Sequence, residues 1–305
     1  MKRAIILLNF NSYQDTFECV VSILNSNESD YHIYIVDNAS QDDSLLKLRN
    51  KFEEISLISF ISSSQNLGFS GGCNLGIKEA LKQDFGYILL LNNDTIVKDA
   101  FLSEMQIIAN SNSDIGIIGG KSLFHDDRES IWDAGGYICE KTYRGVRRSG
   151  SHPDINDVNE VSFITCCLAL VKAEVFEEIG LLPDAYFFGS EEWEFSLRAR
   201  RAGFKLMYTP KAIIYHKVGR SHDHTSAKML YNTYRNRILF VKRNYSKTIF
   251  RGFTYKFLGL KLAQKILNYG QLKHFPFKQV LFIIYETLKD SVKYDQVKKE
   301  HLEKF

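Results

Sequence analysis

The chain has no apolar run that approaches the ~18 residues of a membrane-spanning helix. It also has no cysteine framework. Its five cysteines, Cys19, Cys73, Cys139, Cys166 and Cys167, are odd in number and never fall in C-x-x-C spacing. That excludes a disulfide scaffold and a structural zinc site, and leaves buried thiols in a reducing cytoplasm as the expectation. The dinucleotide fingerprint G-x-G-x-x-G, a Walker loop and any recognised nucleic-acid motif are missing too, so those binding classes drop out. Acid is scarce in one part only. Residues 1–219 hold 21 Lys+Arg against 30 Asp+Glu, whereas residues 220–305 hold 18 against 6. A basic appendage on a mildly acidic body is suited to phosphate-bearing partners.

What is present is ordinary globular composition, 45% apolar and 25% charged over 305 residues, which is enough for one large domain with an appendage. Ala4 to Asn9 is a continuous apolar run that reads as a core strand rather than a secretory leader. A helix from Tyr13, a strand His32–Val36, a short helix to about Asn50 and a strand Leu57–Ile61 follow, the opening of a parallel α/β sheet. A glycine-rich turn, Gln65 to Asn74, opens the next helix, and its backbone amides suit a phosphate. Tyr87–Leu91 is a buried strand that stops at Asn92-Asn93-Asp94. These residues can bind a divalent cation or form a turn in which Asp94 caps a helix Val97–Ala109. Lys121 to Asp157, around Trp132, Arg144, Arg147 and Arg148, reads as a substrate-facing insertion or a solvated loop. Val161–Val171 reads as a central strand, with Cys166 and Cys167 as core filler.

The densest chemistry lies between Phe187 and His216, where Glu191, Glu192 and Glu194 crowd a helix start behind an aromatic loop. Acids there compensate the helix dipole, and crowded carboxylates can also have raised pKa values and serve as a base. His216 closes the stretch, either as a metal ligand or as a core histidine.

Five ordered segments resemble the family 2 glycosyltransferases, in particular the rhamnosyltransferase-like bacterial branch: LLNFNS (7–12), VDNASQDDS (36–44), NLGFSGGCNLGI (66–77), YILLLNNDTIV (87–97) and the stretch from EEWEF to His216. The resemblance covers about residues 3–240. It implies a GT-A fold, a Rossmann-like, mostly parallel open sheet with flanking helices, carrying a C-terminal helical extension. It also implies a nucleotide-diphosphosugar donor and an inverting displacement. By position, Asn9 and Asn11 would face the nucleotide, Asp37 would accept the base N3–H and Asn38 would lie beside it. Asn66, Gly68, Gly71, Asn74, Asn92 and Asn93 would line the donor. Asp94 falls on the last position of the D-x-D metal motif and His216 on the position that completes the site for Mn2+ or Mg2+. Glu192 falls on the catalytic base, with Glu191 its competitor, and Trp193 and Glu194 on the acceptor side, Glu194 being a partner either for the acceptor or for a basic neighbour. Two departures stand out: Asn92 replaces the first aspartate of D-x-D, and Glu192 replaces an aspartate.

The expected domains are a catalytic body, 1–219, and a basic helical extension, 220–305. Apolar stretches Phe257–Leu267 and Val280–Leu288, broken by Lys261, Lys265 and Lys289, are too short to span a bilayer but could lie on an anionic one; alternatively they cover the sheet edge. The resulting expectation is a cytoplasmic enzyme, peripheral on the inner face of the plasma membrane. It would transfer a sugar, with dTDP-L-rhamnose the leading donor, to a glycan or lipid-diphosphate-linked acceptor in surface polysaccharide synthesis such as O-antigen or capsule. A UDP-hexose, UDP-N-acetylhexosamine or UDP-galactofuranose donor is the rival within that class. A non-catalytic nucleotide-sugar or glycan-binding module is the rival outside it. A sugar-nucleotide pyrophosphorylase would need a basic Gly-rich loop where Asn9-Phe10-Asn11-Ser12 stands.

Overall fold

The computed structural model describes residues 2–150, 154–218, 226–268 and 270–305. Four strands, β1 (Arg3–Asn9), β2 (Tyr31–Asp37), β3 (Ile58–Ser62) and β4 (Tyr87–Leu91), are parallel and lie in the order β3-β2-β1-β4. Their near-continuous apolar runs suit strands covered on both faces. The helices between them, α1 (Tyr13–Leu24), α2 (Ser44–Phe52) and α3 (Gly68–Leu81), provide that cover. One apolar cluster, with Ile5, Leu7, Ile33 and Leu89, fills one side of the sheet, and a second, with Ile6, Val36, Ile88 and Leu90, fills the other. The β1–β2 register sets Asn9 opposite Asp37. Polar residues therefore gather at the C-terminal edge, where ligands of open α/β sheets bind.

Beyond β4 the sheet is mixed. It comprises β5 (Thr95–Val97), β6 (Ile115–Phe124), β7 (Ile131–Asp133), β10 (Asn159–Val161), β11 (Leu168–Lys172) and β12 (Lys205–His216), with a separate hairpin of β8 (Gly136–Cys139) and β9 (Arg144–Arg147). β11 runs antiparallel between β4 and β6, and β12 lies parallel to β6 on the other side. Three helices, α4 (Phe101–Asn110), α5 (Ala173–Ile179) and α6 (Glu191–Arg201), complete the body.

Three sequence expectations change here. The expected helix Val97–Ala109 begins only at Phe101, because Thr95, Ile96 and Val97 form β5, paired to β12. Three consecutive β-branched residues favour that outcome, so Asp94 does not cap a helix. Of Val161–Val171, only the ends are strand. Phe163, Ile164, Cys166 and Cys167 are buried as irregular core between them, and burial pushes both thiols well above the ordinary range. Residues 121–157 are not a plain solvated loop, since their described part contains the end of β6, β7 and the β8–β9 hairpin.

The tail forms α7 (Ala227–Asn244), α8 (Lys247–Ile266), a 3-10 turn (Gly270–His274), α9 (Phe277–Lys293) and α10 (Lys299–Leu302). The expected boundary at residues 219 and 220 lies outside the described residues. Ser226 and Ser246 cap α7 and α8 by accepting the N–H groups of Met229 and Ile249, the usual role of serine there. Tyr186, Tyr231, Leu239, Phe240 and Ile283 build a third apolar cluster. It joins the tail to α6 and to the loop before it rather than to a sheet edge.

Helix α3 lies close on β1 because its inward positions are glycines. A Cβ on Gly76 would stand 2.8 Å from Ile6 Cγ2 and 3.0 Å from Val36 Cγ2. Alanine would gain about 1 kcal/mol of helix propensity but would overpack two stiff β-branched neighbours, at a cost of about 1–3 kcal/mol. Gly76→Ala is therefore expected to lower stability by roughly 1 kcal/mol, read from the midpoint of urea unfolding.

Candidate active site

At the end of β1, Asn9 is fully buried and donates from Nδ2 to Asp37 Oδ1 at 2.8 Å, while its Oδ1 accepts from Thr16. Asp37 also accepts the Ser40 N–H and hydroxyl. Asn11, at a φ of +50°, accepts the Gln41 N–H. Asn38 ties the next loop down, donating to Asn66 Oδ1 and the Gly68 carbonyl and accepting the Leu67 N–H. These asparagines thus fix the loops at the C-terminal edge of the sheet, largely through their backbone.

The glycine-rich turn is similarly constrained. Gly68 has a φ of +74°, and a Cβ there would lie 2.2 Å from the Phe187 carbonyl oxygen, which accepts the Phe69 N–H at 2.7 Å. Gly71 lies tight against Leu67. Asn74 differs from its expected place on the donor, because both ends of its amide are bonded to the backbone of Leu182. It fastens α3 to the loop that leads to α6.

Asp94 and His216 are brought together by the pairing of β5 with β12, which sets Thr95 opposite His216. Asp94 Oδ1 lies 3.1 Å from His216 Nε2, both residues are buried, and that oxygen has no aligned hydrogen-bond donor. A buried carboxylate oxygen facing an imidazole nitrogen is a donor set that accepts a divalent cation. Among the described residues no cluster of three or more His, Cys, Asp or Glu gathers to hold one. Asn92 is half-buried and its carbonyl accepts from Thr95, while Asn93 Nδ2 donates to Thr16.

The loop Phe187–Ser190 enters α6 with Phe187, Gly189 and Ser190 all at positive φ. Two asparagines of α7 hold it there. Asn236 Nδ2 donates to the carbonyls of Phe188 and Gly189, and Asn232 Nδ2 to that of Phe188, at 2.7–2.8 Å. The turn delivers two neighbouring carboxylates to low-dielectric surroundings. Glu191 is 4% exposed, one of its oxygens has no partner, and burial and then the neighbouring Glu192 hold its carboxyl well above the ordinary range. Glu192 is half-buried, and burial lifts it to about 7, opposed by the Arg147 guanidinium and assisted by the Asp133 carboxylate.

Glu194 has the opposite environment, with a basic neighbour as its partner. It is buried, accepts from Tyr186, from Arg243 at 2.8 and 2.9 Å and from Asn244, and these bonds outweigh burial to keep it below the ordinary carboxylate range. It joins α6 to α7. Trp193 is half-buried against Phe240 of α7, and its indole covers Gly145 of β9 so closely that a Cβ there would stand 2.4 Å from Nε1. It seats the hairpin on α6.

That hairpin completes the wall between the two halves of the site. Arg147 lies 4.3 Å over the ring of Trp132, and Trp132 meets His216 edge-on at 4.3 Å. Next to it, Asp133 is buried, accepts from Thr165 and is lifted by burial to about 6. Sequence reading singled out Trp132 and Arg147 but not Asp133 or Asn232. A lone Asp in an irregular stretch and one Asn on a helix carry no pattern.

The family model described as "Glycosyl transferase family 2" matches residues 4–180. A low-salt glycan biosynthesis hexosyltransferase, Agl10, from Haloferax volcanii is 28% identical over 81% of this chain and 78% of its own. The dTDP-rhamnosyl transferase RfbF of Shigella flexneri is 20% identical over 70% of this chain and 68% of its own. Among solved structures, GalNAc-T7 with UDP, GalNAc and Mn2+ superposes with a TM-score of 0.67 at 14% identity, over 96% of this chain and 58% of that one. The mannosyltransferase PcManGT from Pyrobaculum calidifontis with GDP-Man and Mn2+ gives 0.59 at 12% identity, over 97% and 76%. These likenesses give the fold, GT-A, with its helical C-terminal region.

Two outcomes follow from the contrasting carboxylates. Removing one partner of a buried pair leaves the other uncompensated, at a cost of about 3 kcal/mol. Glu194→Ala should lower urea-unfolding stability by roughly that amount. Glu191, whose folded-state affinity for a proton is raised, costs stability as pH climbs above the ordinary carboxylate range. Glu191→Gln should therefore melt higher than the unaltered chain at pH 8, and the gain should vanish near pH 4, below the unfolded-state value, in a pH series of thermal melts.

Proposed function

Because the chain belongs to glycosyl transferase family 2, we propose that this glycosyltransferase of nucleotide-sugar donors is a metal-dependent, inverting hexosyltransferase in which Glu192 is the catalytic base. The observation that supports this best is the continuous wall from Glu192 past Arg147 and Trp132 to His216 and Asp94. A carboxylate whose proton affinity burial raises, near side chains that could hold a cation, supports that reading.

In the proposed reaction an acceptor hydroxyl oxygen forms its bond to the anomeric carbon as the bond from that carbon to the diphosphate oxygen breaks. The electron pair leaves with the nucleoside diphosphate, and the hydroxyl proton passes to the Glu192 carboxylate. Burial suits Glu192 to this work, since a base is most effective with a pKa near the working pH. Asp94 and His216 would hold Mn2+ or Mg2+, which supplies charge neutralisation of the departing diphosphate. Arg147, exposed over Trp132, is positioned to adjust the charge of Glu192. Asn9, Asp37 and Asn38 shape the nucleotide side.

For the donor sugar, dTDP-L-rhamnose is favoured by the relative named as a dTDP-rhamnosyl transferase. A UDP-hexose, UDP-N-acetylhexosamine or UDP-galactofuranose is the alternative. The acceptor is a glycan or lipid-diphosphate-linked glycan, in surface polysaccharide synthesis at the inner face of the plasma membrane.

A screen of nucleotide sugars for hydrolysis and transfer, with Mn2+, Mg2+ or chelator, tests the reading. Glu192→Gln should lose roughly 10²–10⁴-fold in kcat. In the unaltered enzyme kcat/KM should rise with pH through about 7, as the base loses its proton. Unchanged transfer by Glu192→Gln would transfer the role elsewhere, turnover indifferent to chelator would remove the metal from Asp94 and His216, and no turnover of any donor would favour a binding module.

A further inference from the structure

The tail contains a helix whose polarity is reversed. On α9 the side that faces the protein carries Glu286, Thr287, Asp290 and Ser291, all buried, beside Val280 and Ile283. Phe277, Leu281, Phe282, Tyr285 and Val292 point to solvent, at 40–72% exposure. The inward acids have partners. Asp290 accepts from Tyr231 and Lys304, Glu286 from Lys304 and Lys289, and the buried Arg235 of α7 lies close enough to feel Asp290. Buried ionic contacts therefore fix the rotation of α9 and force its large apolar side chains outward.

Helix α8, packed beside α9, does the same with Tyr255, Leu260 and Ile266, at 51–71% exposure. Its exposed Gly252 and Gly259 have open space around them. Isolated apolar residues on a surface need no explanation, but neighbouring faces of this kind mark an interaction site. Cations are interleaved with them. Arg251 and Lys256 are exposed on α8, Lys273 on the turn, and Lys278 and Lys293 on α9. Exposed acids on α8 and α9 are absent among the described residues.

We infer that the solvent face of α8 and α9 is a docking surface for an anionic lipid bilayer, with Phe277, Leu281, Phe282 and Tyr285 entering the headgroup–acyl boundary and the lysines and arginine meeting lipid phosphates. Charge selects this occupant. A folded protein partner would need a patterned acidic complement, whereas an anionic leaflet offers uniform negative charge and apolar depth together. Among the described residues no helix is long and apolar enough to cross a membrane, which accords with a helix pair lying in the interface plane. The lipid-diphosphate acceptor of the proposed function gives this docking its use, and in that respect the inference rests on that reading. The binding itself does not depend on it.

The test is flotation of the full chain with vesicles of phosphatidylcholine alone or mixed with phosphatidylglycerol, at low and high salt. The chain should float with the anionic vesicles, and less so in salt. The quadruple variant Phe277→Ser, Leu281→Ser, Phe282→Ser, Tyr285→Ser should partition at least about tenfold more weakly, as should Lys256→Gln, Lys278→Gln, Lys293→Gln. Donor hydrolysis should be unchanged in both, which separates this surface from the catalytic reading. The inference is overturned if the native chain fails to float, if both variants float like it, or if ultracentrifugation shows a dimer that the apolar variant dissociates, in which case a second copy covers the face.

Discussion

The amide of Asn236, bonded to two successive carbonyls of the loop before α6, is the contact on which the reacting edge depends. Three of the four loop residues sit at positive φ, and two of these are not glycine. Such conformations persist only where surrounding structure over-determines them. Asn232 and Asn236 from α7, the Phe69 N–H from α3 and the Val297 N–H from the C-terminal segment all grip carbonyls between Ala185 and Gly189. The tail is thus a structural part of the site, because the turn that presents Glu191 and Glu192 is held from outside the sheet.

One helical turn contains carboxylates in two electrostatic settings. Glu194 points to Arg243, Tyr186 and Asn244 and stays charged. Glu191 and Glu192, at the first two positions, have few polar partners, and burial favours their protonated forms. Acids of the same type within four positions therefore divide into a charged fastener and two carboxyls with raised proton affinity by environment alone, as charge partners and desolvation move pKa values in opposite directions. Removing the Arg243 contact would also shift the packing of α6 on α7. The helix that carries Glu191 and Glu192 is thus tied to the tail through Glu194 and Arg243.

The parallel half of the fold was legible because its signal is local. Runs such as Ala4–Asn9 and Tyr87–Leu91 end in polar residues, and period and length suffice to read them. The mixed half was less legible. Thr95–Val97 is strand because it pairs with a segment over a hundred residues later, and the apolar run from Val161 is mostly core without a ladder because the hairpin beside it takes part of its backbone pairing. Of the candidate site, Asp94, His216 and the glutamates were singled out by type and order. Asn74 was expected on the donor but its amide is bonded to Leu182, and of the two readings of Glu194 the structure shows the basic neighbour, Arg243, since sequence shows which groups are polar and not which neighbour satisfies them. Asp133 was passed over for the same reason. Likewise, Val280–Leu288 reads in sequence simply as an apolar stretch, whereas the buried Glu286 and Asp290 contacts divide it between an inward and an outward face.

The substitution of Asn92 for an acid has a consequence for how the proposed site would load. With Asp94 and His216 as its protein ligands, a six-coordinate ion would still have most of its shell to fill. Diphosphate oxygens and water are the remaining donors, so the ion and the nucleotide sugar would each complete the other's binding. An acid at position 92 would hold the ion more firmly before the donor arrived; an amide leaves it weakly held until then. In the proposed enzyme this makes metal and donor binding reciprocal. It would also limit the negative charge near Asp94, which in the proposed enzyme would favour approach of an anionic donor.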